Sequence, residues 1–181
     1  MEHDLNNTIA LLERTPAALD ALLRGLPAEW TENNEGGDTW NVPGVLGHLI
    51  HCEHDDWMPR LRMILEFGKG RTFAPLDREG SARSGAGKTL DQLLDEFAQQ
   101  RAKNLAELRA LCLEPEDMNR RGMHPVFGSV TLSDFLATWA VHDLTHLHQI
   151  SRIMAHQYRE AVGPWVRFLG VMQCAGHSSQ A

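Results

Sequence analysis

The stretch TLSDFLATWAVHDLTHLHQISRIMAHQY, residues 131–158, decides the fold class. Thr131 with Asp134 three residues on is a capping-box pattern, the start signal of a helix. Beyond it Leu132, Phe135, Leu136, Trp139, Ile150, Ile153 and Met154 recur at steps of three and four, which sets them on one helical face. The pattern predicts a helix to about Tyr158. Filling the middle of this stripe by the same steps leads to 142 or 143 and then to 146. Two of those positions hold His142 and His146. Two histidines therefore stand at the centre of an inward-facing stripe.

Burying an imidazole is costly unless its ring nitrogens find partners. A pair at i and i+4 sets two rings side by side, as on the zinc-chelating helices of metalloproteases. Two core histidines held by hydrogen bonds from neighbouring helices would give the same pattern, and the spacing does not separate the two.

Outward from this helix, Thr89 and Gln92 form a second capping box before Leu90, Leu93, Leu94, Phe97, Leu105, Leu108 and Leu111. Another helix is expected after Trp40, with Asn41 as N-cap and Pro43 in its first turn, running to about Phe67 with a kink or break at Pro59. The first helix spans roughly Leu5 to Leu23, with Leu5, Ile9, Leu12, Leu19, Leu22 and Leu23 as its stripe. Pro16 either kinks it or begins a fresh helix capped by Thr15. Residues 68–88, GKGRTFAPLDREGSARSGAGK, lack periodicity and read as a long mobile loop, a lid or a plain connection. Residues 114–130 are irregular, and Trp165, Phe168 and Leu169 suit a short terminal helix packed on the bundle. No strand pattern or internal repeat is evident. The expectation is one all-α domain over residues 1–181, a four-helix bundle plus a short C-terminal helix.

Composition excludes several function classes. The formal net charge is −7 and the basic residues are scattered, so a nucleic-acid surface is not expected. No run approaches 18 apolar residues, and the N-terminus has acids where a secretory signal has basic residues, so no membrane span and a cytoplasmic location are expected. The three cysteines, Cys52, Cys112 and Cys174, have no CxxC spacing and read as free thiols. Ten histidines are the unusual feature.

A metal needs a third ligand, and the second helix offers His48, His51 and His54. At 100° per residue they fan round one side of the helix, about 60° and 120° apart from His48, so not all three face one ion. Val45, Leu49 and Cys52 flank His48, a setting for burial. His51 and His54 precede Asp55 and Asp56 and are expected at the rim or in solvent. His148 lies off the stripe, His3, His156 and His177 lie near segment ends, and His124 has only a possible approach to the site mouth.

WNVPGVLGHLIHCEHDDW, residues 40–57, and HPVFGSVTLSDFLATWAVHDLTHLHQI, residues 124–150, together resemble the two motifs of the DinB/YfiT-like superfamily. In that family a Trp precedes a helix bearing the first metal histidine. The closing motif has His-Pro, Gly, a Thr-Leu helix start and HxxxH. The resemblance spans nearly the whole chain and implies a bundle with an unusual long crossover and His48, His142 and His146 as ligands. It further implies a homodimer, which exposed Trp57 or Trp165 would serve. It points to transferases that use a low-molecular-weight thiol such as bacillithiol or mycothiol, and to isomerase relatives. Three imidazoles without a fourth protein ligand leave an open position for water or a small-molecule substrate. The expected cofactor is one divalent metal per chain, Zn, Ni or Fe. The expected function is a metal-dependent hydrolase or thiol-dependent S-transferase; the alternative is a non-catalytic metal- or ligand-binding stress-response bundle. No catalytic residue is assigned. Asp143, Asp55 and His51 are general-base candidates by sequence proximity only, with a surface role expected for each.

Overall fold

Caps and prolines set the helix ends. The structure, a computed structural model, describes residues 3–75, 77 and 79–174; His177 lies outside them. The first predicted helix is two, α1 (Leu5–Leu12) and α2 (Arg14–Leu23), with Glu13 rather than Thr15 as the N-cap of the second. The second predicted helix is likewise two, α3 (Val42–Asp55) and α4 (Trp57–Phe67), joined at Asp56. In both cases the proline, Pro16 or Pro59, falls in the first turn after the break, where its missing N–H deprives no carbonyl of a partner. Asn41 caps α3 by accepting from the Gly44 N–H at 3.0 Å.

The connection after α4 holds a short helix, α5 (Gly80–Gly85), packed against α3. This corrects the mobile-loop expectation for residues 68–88. Both boxes are present: Thr89 opens α6 (Leu90–Ala110), and Thr131 opens α7 (Leu132–His156). Between these helices lies a hairpin that the sequence did not announce, β1 (Arg121–His124) antiparallel to β2 (Gly128–Thr131), in register from Arg121 opposite Thr131 to His124 opposite Gly128. The C-terminal helix is present as two 3-10 segments, Gly163–Phe168 and Gly170–Met172. Trp165 and Phe168 lie exposed on the first of them instead of packing on the bundle. Leu22, assigned to the first apolar stripe, is also exposed, whereas Trp57 is buried and so is no surface for a dimer. Among the described residues no helix is long and apolar enough to cross a membrane.

The four bundle helices, α1/α2, α3/α4, α6 and α7, enclose a core in two apolar halves. One half gathers Leu12, Trp57, Leu61, Leu105, Leu136 and Trp139. The other gathers Leu19, Leu46, Ile50, Phe97, Ile150 and Ile153. Each of α3, α6 and α7 passes from one half to the other through buried polar residues: His48 and Glu53, Arg101 and Asn104, Asp143, His146 and Gln149. The functional groups sit in that middle layer.

Candidate metal centre

The middle of α7 turns His142 and His146 toward α3, where His48 meets them. One nitrogen from each ring lies within 4.8 Å of the others. His142 Nε2 stands 3.1 Å from His48 Nε2 and 3.1 Å from His146 Nε2. His48 and His146 are buried, and His142 is half-buried. Trp40 tilts over the His48 ring at 5.0 Å, and Trp57, stacked on Trp139, meets His142 edge-on at 5.1 Å. The cluster therefore has an aromatic wall.

Burial, reinforced by the neighbouring His146 and His51, holds the His48 pKa down at about 3. Burial first, then His146, His48 and Arg101, keeps His142 well below its ordinary value. Both rings are thus neutral at pH 7, the form that binds metal.

The outer ring nitrogen of His146 fixes its tautomer. His146 Nδ1 lies 2.8 Å from Gln149 Oε1, which only accepts, so the ring donates there and turns an unprotonated Nε2 inward. His48 Nδ1 lies 3.1 Å from Ser81 Oγ. A proton on His142 Nε2 serves one of its two 3.1 Å contacts well and leaves the buried, unpartnered Nδ1 as a bare acceptor. A proton on His142 Nδ1 instead leaves a buried donor without a partner. Hydrogen bonding alone satisfies neither arrangement. Three convergent imidazoles are a donor set for a divalent cation, and the residues fit one.

Beside the cluster, Cys52 Sγ is 3.6 Å from His48 Nε2. Burial, with Asp56 and Glu53, pushes this thiol well above its ordinary pKa. It is not part of the three-nitrogen group.

Several expectations are corrected. His51 is buried, not at the rim; its Nδ1 pairs with Asp55 at 2.9 Å and its Nε2 has no partner. His54 is exposed near Glu96, and His148 is exposed, as expected. His124 stays on the hairpin, stacked on Phe127, and does not join the three histidines. Asp143 is wholly buried rather than at the surface and pairs with Arg101. That makes it a structural anchor, committed to a guanidinium and not open to substrate. Asp55 is largely exposed.

Sequence reasoning missed Ser81, Gln149 and the Arg101 network. Gln149 carried a signal, since it lies three residues after His146 and one turn past it on the inward side. Ser81 carried none, because a lone serine in an aperiodic segment has no pattern.

The sequence model of the DinB superfamily matches residues 11–150. Among solved structures, one is similar at a TM-score of 0.69, with 20% identity over 87% of each chain. It is described in the words "YfiT from Bacillus subtilis is a probable metal-dependent hydrolase with an unusual four-helix bundle topology". At that identity the likeness shows the fold. No curated protein matches the chain.

Proposed function

This chain belongs to the DinB superfamily, and on that premise we propose that it is a metal-dependent enzyme, a hydrolase or a thiol-dependent S-transferase, with its divalent cation held by His48, His142 and His146. The observation that carries the proposal is the convergence of one ring nitrogen from each of three histidines within 4.8 Å, beside a buried His142 Nδ1 that has no hydrogen-bond partner. Among the described residues no fourth histidine, cysteine or carboxylate joins the group, so a coordination position is left for a small molecule. The likeness to YfiT supports hydrolysis. When bound, the cation supplies Lewis acidity, which acidifies water or a thiol or polarises a substrate oxygen.

The protein's own residues hold and shape. Gln149 fixes the His146 ring, Trp40 packs against the His48 ring, and Trp57 packs against the half-buried His142. Cys52 lies outside the three-nitrogen group, so in S-transfer the reacting sulfur would be that of a small thiol at the open position.

Tag-free protein titrated with Zn(II), Ni(II) or Fe(II) against a chromogenic chelator tests the site. One ion per chain is expected, with His48→Ala, His142→Ala and His146→Ala each weakening binding by about 100-fold or more. Stoichiometry unchanged in His142→Ala would sink the site. Loaded protein is then offered esters and amides, or a low-molecular-weight thiol with an electrophile. Metal-dependent turnover in one class is expected; inertness to both would leave a metal-binding bundle without catalysis.

A further inference from the structure

Of the two buried ligand rings, His146 is oriented by its own helix, but His48 is oriented by a residue 33 positions away in the connection between α4 and α6. We propose that Ser81 is a positioning residue for His48: its Oγ accepts the Nδ1–H bond and so fixes the tautomer and rotation that turn Nε2 toward His142 and His146. This rests on the metal reading given above.

The alternative partner of the ring makes the role specific. Cys52 Sγ lies 4.0 Å from His48 Nδ1 but 3.6 Å from Nε2. Without Ser81, Nδ1 is left with the weak Cys52 Sγ contact at 4.0 Å, and the proton is no longer held there in preference to Nε2, the nitrogen needed as a ligand. With Ser81 Oγ as the acceptor, the proton sits on Nδ1 and Nε2 is free to serve as a ligand. A metal-bound histidine commonly has its other ring nitrogen held in this way, and loss of such a partner weakens metal binding about 10- to 100-fold.

The segment carrying Ser81 is built to hold it there. A Cβ at Gly47 on α3 would stand 2.7 Å from the Ser81 carbonyl oxygen and 3.2 Å from the Gly85 nitrogen. A Cβ at Gly80 would stand 2.2 Å from His51 Cε1. Two glycines therefore allow a backbone approach that no side chain permits, and they lock α5 onto α3 with Ser81 buried. The ends of the segment are tied as well. The Phe73 N–H donates to the Met123 carbonyl at 2.9 Å, the Arg60 guanidinium donates to the Ala74 carbonyl at 3.0 Å, and Lys88 pairs with Glu96 at 2.6 Å.

Two measurements on wild type, Ser81→Ala and Ser81→Thr test this. Nitrogen-15 NMR of the metal-free proteins reads the His48 tautomer, and Zn(II) competition titration reads affinity. The expected result is Nδ1–H in wild type and a shift toward Nε2–H in Ser81→Ala. Zinc affinity falls 10- to 100-fold in that variant, and Ser81→Thr, which keeps the hydroxyl, returns it to within about threefold of wild type. An unchanged tautomer with unchanged affinity in Ser81→Ala overturns the proposal and leaves the metal site standing. Wild type that binds no zinc overturns the metal reading, and the positioning role with it; the zinc arm alone identifies that failure.

Discussion

Arg101 uses all five of its N–H donors inside the core. Nε and Nη2 donate to Glu53 at 3.0 and 2.8 Å, Nη1 and Nη2 to Asp143 at 2.6 and 2.9 Å, and Nη1 also to the Leu12 carbonyl at 2.9 Å. Asn104 and the Trp139 indole complete the Glu53 carboxyl at 2.9 and 3.1 Å. Burial opposes the charge, yet Glu53 and Asp143 outweigh it and raise the guanidinium pKa. Such a network adds little against a well-packed apolar core, but breaking it is severe. Arg101→Met leaves two buried carboxyl groups without their cation and is expected to destabilise by about 3–5 kcal/mol in urea unfolding. A midpoint within experimental error of wild type would show the network to be energetically idle. The same middle layer sets an acid limit. His48 and His142 have folded-state pKa values below the ordinary 6.5, so as pH falls the unfolded chain binds protons first. Stability from these neutral rings is full above about pH 6.5 and is lost below it, by up to about 1.4 kcal/mol per pH unit per ring. Chelator-treated protein melted from pH 7.5 to 4.5 should show this slope, and His48→Asn should reduce it by the share of one ring. The positions of these charges were partly legible. Arg101 interrupts the stripe of Leu94, Phe97, Leu105 and Leu108, and Asp143 falls on the step that also allows His142. Their burial was not legible, because a buried charge requires its partner, and the partners lie 48 and 42 residues away.

Helix ends were readable where the cause is local. Thr131 and Asp134, like Thr89 and Gln92, cap through side-chain bonds spanning three residues, and the structure has both. Elements held by distant contacts were not readable. α5 has the sequence GSARSG, with poor helix formers, and it exists because α3 receives it at Gly47. The hairpin strands have four residues each, too few to display alternation, and β2 ends where the α7 cap begins. Gly47→Ala separates local from tertiary causes. In an isolated helix alanine gains about 1 kcal/mol over glycine. Here its methyl must push the Ser81 backbone away, an overpacking cost of about 1–3 kcal/mol. The expected outcome is faster amide exchange across residues 80–88, unchanged protection in α6 and α7, and weakened zinc binding like that of Ser81→Ala. Equal exchange in wild type and variant would mean that the close approach does not hold α5.

Across the whole molecule, the bundle is two apolar halves joined through a polar layer that α3, α6 and α7 all cross. Within that layer the Arg101 network is internally complete, and the three histidines are not, since His142 Nδ1 stays unpartnered and three Nε2 atoms crowd together. The layer is therefore at its weakest where α3 meets α7, and a cation there joins the two helices at the seam. A ligand that binds only the folded state stabilises it by RT ln(1 + [L]/Kd), about 2.7 kcal/mol when free metal is 100 times Kd. For a chain of this size each kcal/mol moves the melting temperature by about 2–4 °C, so zinc at that excess should raise it by about 5–10 °C. The ten histidines and three thiols of the unfolded chain also attract metal, so the gain should level off or reverse at large excess. A chelator should return the melt to its starting point, and His142→Ala should show no rise at equal free zinc. A rise of the same size in His142→Ala would place the stabilising cation elsewhere and dissociate the seam from metal binding.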